Sequence, residues 1–181
     1  SFTLTTYPIT DLSIFSITCL QEDDDKNIWI SSNDGVWKLN PKTGYIDNEY
    51  AIFKNVQTIS KDWNGNMWLG TSDVGAIILK NKFQARYNET GQPNIFEKIT
   101  TKDGISSNCI NTILFKKDMV WFISNSGINE LIIDTYVNRI KEIKSYNKGR
   151  GFASYDNKPN TAVFDENDFI WIGSIEGLTQ Y

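Results

Sequence analysis

The stretch NMWLGTSDVGAIIL, residues 66–79, sets a tryptophan among apolar neighbours, then a polar turn closed by Gly75, then a second apolar run. Just ahead of it, Asn64-Gly65 separates this run from VQTIS (56–60). Asn-Gly between two short apolar segments is the strongest short-range hairpin signal. Three further stretches align on the same pattern: NIWISSNDGVWKL (27–39), MVWFISNSGINEL (119–131) and FIWIGSIEGLTQY (169–181). Trp29, Trp68, Trp121 and Trp171 thus share one repeat position, and Gly35, Gly75, Gly127 and Gly177 share another. The Trp-to-Trp intervals are 39, 53 and 50 residues. A period of roughly 40–50 residues is that of four-stranded propeller blades.

Around each Trp strand the other strands fall into place. An apolar segment precedes it: SITCL (16–20), VQTIS, INTILF (110–115) and TAVF (161–164). Turn-rich tracts lie between: EDDDKN (22–27), KDWNGN (61–66), KKD (116–118) and DENDF (165–169). A fourth strand is visible as IFEKIT (95–100) and NRIKEIKSY (138–146). No stretch carries a helical apolar period with caps, whereas β-branched and aromatic residues recur between Gly, Asn and Asp. The expectation is an all-β chain, a β-propeller of about four four-stranded blades, in one segment over 1–181. Its repeats fall at about 9–50, 51–100, 101–150 and 151–181. A strand-like FTLTTYP (2–8) precedes the first full repeat and could complete the last blade of a closed ring. A segment cut from a larger propeller is the favoured alternative, because small four-bladed rings are uncommon.

Composition narrows function. The 181 residues carry a net charge of −4 with a pI near 4.9, and no basic stripe suits a nucleic-acid backbone. Histidine is absent, which removes Ser-His-Asp and Cys-His catalysis, most zinc sites and a phosphoacceptor histidine from this segment. Cys19 and Cys109 occupy different repeat positions and read as two idle thiols rather than a disulfide. No apolar run approaches the length that spans a bilayer. The chain opens on Ser with no signal-peptide pattern, which fits a mature or excised piece of something longer.

The shared tryptophans are expected to pack between neighbouring blades, and the shared glycines to supply a positive φ or a close backbone approach. Glu22–Asp25 and Asp62–Asn66 have the alternating oxygens of a calcium loop but lack its distal bidentate Glu, so Asx-rich turns explain both. Asp165 with Glu166 and Asp168 offers a carboxylate pair, yet acids in a repeated hairpin turn read as solvated. No catalytic residue, metal or cofactor is assigned. Trp63, outside the repeat logic, is either an exposed contact or a lid over a blade edge. Individual character lies in the loops DNEY (47–50), TKDGISSN (101–108) and NKGRGFASYDN (147–157). With the second turns, these gather Asn33, Asp34, Asp73, Asn108, Asn125, Arg150 and Tyr155 on one face near a central channel. These seven are the candidate ligand contacts, Arg150 being a clamp for a carboxylate or sulfate.

DGISSNCINTILFKKDMVWFISNSGINEL (103–131) and NTAVFDENDFIWIGSIEGLTQY (160–181) resemble the two-component regulator propeller repeat. Trp68-Leu69-Gly70-Thr71 and Trp171-Ile172-Gly173-Ser174 follow its core, whereas Ser31-Ser32 and Ile123-Ser124 depart from it. The resemblance implies a seven-bladed periplasmic sensor in a hybrid two-component protein of Bacteroidetes, followed by an Ig-like domain, a membrane helix and a histidine kinase. It also implies detection of an oligosaccharide and control of glycan-utilisation genes, with the remaining blades, the Ig-like and kinase regions and a second protomer as partners. Two other classes stay open. One is a lyase or hydrolase of the streptogramin-lyase type, whose expected histidine base this segment lacks; the other is a protein-binding scaffold.

Overall fold

A computed structural model describes residues 4–7, 16–48, 50–80, 86–87, 93–94, 96–134, 139–147, 149 and 157–181. Blade 1 is an antiparallel sheet of β1 (Ile17–Glu22), β2 (Ile28–Ser32), β3 (Val36–Leu39) and β4 (Ile46–Asp47), hydrogen-bonded in chain order. Blade 2 begins with β5 (Val56–Lys61), β6 (Met67–Thr71) and β7 (Ala76–Leu79). A separate pair, β8 (Arg86–Tyr87) and β9 (Pro93–Asn94), intervenes before β10 (Phe96–Ile99) completes the blade on β7. Blade 3 comprises β11 (Thr112–Lys116), β12 (Met119–Ser124), β13 (Gly127–Asp134) and β14 (Arg139–Tyr146). Blade 4 comprises β15 (Asn157–Phe164), β16 (Ile170–Ser174) and β17 (Gly177–Gln180). The fold is therefore a run of β-propeller blades, three with four strands and the fourth with three among the described residues. Leu4–Tyr7, from the stretch expected to be a strand, belongs to no sheet.

The first strand of each blade packs on that of the next: β1 on β5, β5 on β11, β11 on β15. These strands line the inside of the arc. Alternation along β2, β6, β12 and β16 sends side chains to the two faces of each blade. Trp29 and Val36 pack with Val56, Ile59, Met67 and Leu69 of blade 2. Trp68 and Ala76 meet Ile110, Ile113, Val120 and Phe122 of blade 3. Trp121 and Ile128 meet Ile170 and Ile172 of blade 4. Each of these three tryptophans is thus buried against the following blade.

The second turn explains its glycine in two ways. Gly127 has φ 133°, and a Cβ there would overlap the carbonyl oxygen of Tyr146 on β14. Gly35 lacks a positive φ, but a Cβ would stand 2.8 Å from the Ala51 carbonyl oxygen. At both sites the fourth strand or the loop after it runs too close for a side chain.

The outer flanks break the pattern. The residue after the turn glycine is fully buried in three copies, at Val36, Ala76 and Ile128, yet Leu178 is 68% exposed. Val163 and Ile175 of blade 4 are exposed as well. On the opposite flank, Ile17 is 48% exposed where its counterpart Val56 is fully buried. Surfaces that the repeat buries elsewhere are open on both ends of the arc.

Candidate functional site

The blades have two ends, and they differ chemically. At the first-turn end an aspartate stands six residues before the tryptophan in three copies: Asp23, Asp62 and Asp165. The Asp62 carboxylate accepts the Asn64 and Asn66 backbone N–H groups at 2.9 and 2.8 Å. It also accepts the Asn66 amide at 2.8 Å and the Trp68 indole N–H at 2.9 Å. Asp23 binds Asn27 and the Trp29 indole in the same way, and Asp165 binds Asn167, Phe169 and the Trp171 indole. Asp23 and Asp62 form the Asx turns expected of their tracts, and the reading of Asp165 as a solvated acid is corrected: each of the three closes its turn and orients its tryptophan. Glu166 and Asp168 in the same turn are exposed.

Protonation follows from these bonds. Burial pushes the Asp23 carboxyl up, but bonds from the Asn27 side chain, the Trp29 indole and the Asn27 backbone, together with the Lys38 charge, outweigh it and hold it low. For Asp165 the Trp171 indole bond leads in holding the carboxyl below its usual range, with the Phe169 and Asn167 amides adding to it against some desolvation. Among the described residues no group of three acids or cysteines could hold a metal ion. In the Glu22–Asp25 tract, Glu22 pairs with Lys26 at 2.7 Å and Asp24 reaches Lys61 of blade 2 at 2.6 Å.

Blade 3 is the exception. Its turn is only Lys117-Asp118, so Phe115 occupies the place six residues before Trp121. The Trp121 indole N–H is buried with no partner among the described residues. Trp63 of blade 2 meets Phe115 edge-on, with ring centroids 5.8 Å apart, and so lies against the shortened hairpin while staying partly exposed.

At the second-turn end, polar side chains from successive blades meet near the inner strands. Asn33 Oδ1 accepts from Gln57 Nε2 at 3.3 Å, joining blades 1 and 2. Asn55 Nδ2 donates to Asp73 Oδ2 at 3.1 Å. The Asn111 amide donates to Asn125 Oδ1 at 2.7 Å and to the Asn157 carbonyl at 2.6 Å, joining blades 3 and 4. Cys109 Sγ donates to Asn111 Oδ1 at 3.5 Å. Burial, and secondarily the Asp73 charge, push the Cys109 thiol up, so it stays protonated and is no nucleophile near neutral pH.

Three of the seven candidate contacts, Asn33, Asp73 and Asn125, lie exposed in this arrangement. Asp34 is exposed beside them, with no side-chain partner among the described residues. Asn108 is engaged elsewhere: its Oδ1 accepts the Thr101 N–H at 2.9 Å and its carbonyl accepts the Gly75 N–H. It anchors the loop, as do Ile105, buried in the core, and Ser106, which donates to Asn129. Arg150 and Tyr155 lie outside the described residues. Asn55, Gln57, Asn111 and Asn160 were not among the candidates. Gln57 and Asn160 each stand eleven residues before their tryptophan, as does Thr18, and Asn111 stands ten before in the blade with the shorter turn. The position is shared, but its residue type changes from copy to copy and so gives no signal.

A family model described as "Two component regulator propeller" matches residues 13–34. The matched stretch lies in the Trp29 copy, one of the two that depart from the repeat core, rather than in the copies at 103–131 and 160–181. No curated protein matches the chain. Among solved structures, the chain is similar to the extracellular domain of the hybrid two component system BT3049 from B. thetaiotaomicron: TM-score 0.74, 19% identity, 98% of this chain and 23% of that one. The extracellular domain of the hybrid two component system BT4673 from the same organism gives TM-score 0.61 at 19% identity, over 93% of this chain and 20% of that one. Virginiamycin B lyase from Staphylococcus aureus gives TM-score 0.52 at 17% identity, over 91% of this chain and 55% of that one. The chain spans about a fifth to a quarter of the two extracellular domains. The chain is a run of β-propeller blades in which residues 13–34 match the two component regulator propeller model.

Proposed function

We propose that this chain is part of an extracytoplasmic sensor of a hybrid two-component protein and binds an oligosaccharide at the second-turn end of its blades. The observation that carries the reading is the contrast between the ends. In the first turns, the Asp23, Asp62 and Asp165 carboxylates are engaged by their own hairpins, whereas Asn33, Asp73 and Asn125 in the second turns are exposed with polar atoms left over. The open flanks at Ile17 and Leu178 support further blades on either side. Ligand binding would shift the relative placement of sensor protomers and bias a downstream kinase, and through it glycan-utilisation genes.

Likeness to the lyase favours a second reading, but this segment supplies no histidine base and Cys109 is held protonated. Calorimetric titration with oligosaccharides, followed by product analysis, tests the choice. Saturable binding with the sugar recovered intact is expected. Conversion of any sugar into products would overturn the sensor reading in favour of an enzyme.

A further inference from the structure

The first strands of three blades carry a bulge near the second-turn end, and these bulges close a hydrogen-bonded circuit. In β1 the register shifts at Thr18, and in β5 at Gln57. In β15 it shifts between Asn157 and Ala162, with Asn160 at φ 59°. Bulges on inner strands re-aim side chains and are common beside binding sites. Here they bring Asn160 of blade 4 across the arc. Its Nδ2 donates to the Thr18 carbonyl of blade 1 at 3.1 Å and to the Gln57 carbonyl of blade 2 at 3.2 Å. Its Oδ1 accepts from Thr58 at 2.6 Å, and its backbone N–H donates to the Asn111 carbonyl of blade 3 at 3.1 Å. One residue therefore ties all four blades together, and its side chain crosses the arc.

Around that crossing the remaining hydrogen-bonding capacity is neutral apart from two acids, Asp34 and Asp73. Asn33 Nδ2, Asn125 Nδ2, Gln57 Oε1 and Asp73 Oδ1 have no partner among the described residues. Amide donors and acceptors beside carboxylates that only accept suit vicinal hydroxyl groups, which both donate and accept. A sulfate or carboxylate bound there would sit beside Asp73, whose charge opposes it.

We infer that the circuit over Asn160 is a site for a neutral polyhydroxylated chain, held by Asn33 and Asn125 with Asp73 as acceptor. This inference rests on the proposed sensor reading and adds the ligand's charge and the residues that hold it. Because the contacts come from blades 1, 2 and 3, the bound chain links blades that Asn160 already bridges.

The test is calorimetric titration of the chain with two probe sets. One holds neutral gluco- and fructo-oligosaccharides of four to eight units, the other uronate-containing and sulfated oligosaccharides of similar length. A neutral probe is expected to bind, with affinity that changes less than about twofold between low and physiological salt, because no counterions are released. Asn33→Ala and Asn125→Ala should each weaken it at least about tenfold; both residues are exposed, and Asn33→Asp and Asn125→Asp serve if the alanine variants fold poorly. Glu176→Gln, in the second turn of blade 4, should leave it unchanged. Binding of only the anionic set, weakened by the same variants, would overturn this inference and leave the sensor reading intact. Neutral binding indifferent to Asn33 and Asn125 would overturn the site. Binding by neither set would sink the inference and the oligosaccharide reading together.

Discussion

Blade 2 holds one aspartate at each end, and the two are used differently. Asp62, only 5% exposed, receives two backbone N–H groups, an amide and an indole, so its carboxylate is filled by its own hairpin. Asp73, exposed in the second turn, receives only the Asn55 amide among the described residues. The arrangement around Asp62 recurs at Asp23 and Asp165; that around Asp73 does not recur. An element repeated in each blade serves the fold, while an element that differs between blades is available for recognition.

The contrast breaks most readily at the filled end. Asp62→Ala would leave buried donors without an acceptor, at about 1–3 kcal/mol for each group left unpaired. A net loss of about 3–4 kcal/mol is expected in denaturant unfolding, whereas Asp73→Ala should change stability by less than about 0.5 kcal/mol. Equal effects would erase the distinction.

The second turns offer the next largest effect. Gly127→Ala meets both a left-handed φ and the Tyr146 carbonyl, and should cost about 2–3 kcal/mol. Gly177 has the same φ but open space, so Gly177→Ala should cost about 1 kcal/mol. Thermal melts of the two variants would show whether the close approach, rather than φ alone, demands glycine.

A subtler comparison lies within the first turns. Trp68→Phe removes a donor from Asp62 and should cost about 1–2 kcal/mol. Trp121→Phe removes an indole N–H that is buried without a partner among the described residues, so its net cost should be near zero. The smallest effect is in acid. The low-held Asp23 carboxyl contributes stability that is fully present above its unfolded value, about pH 4. It is lost as pH falls through the lower folded value. Asp23→Asn should therefore flatten the fall in stability below about pH 4 and reduce stability above it.

The repeat was legible because burial imposes it: Trp and Gly recur where blades pack, and the strands follow their alternation. The filled aspartates were legible as positions but not as bonds, since an Asx turn and an indole acceptor look alike in sequence. Asn160 shares its repeat position with Thr18 and Gln57, but its bridging role was not legible, because that depends on a bulge and on three other blades. The short β4 and the β8–β9 pair have too few residues for a period to register. Of the seven candidate contacts, Asn108 had the right composition but is engaged within its loop, a fact that distances alone show.

Backbone hydrogen exchange across the chain, with and without a saturating neutral oligosaccharide, tests the account most directly. Protection should rise at residues 33, 55–58, 73 and 109–111 on the second-turn end. Residues 23–27, 62–66 and 165–169 on the first-turn end should be unchanged. Protection concentrated at the first-turn end would contradict the division of labour between the two ends of the blades.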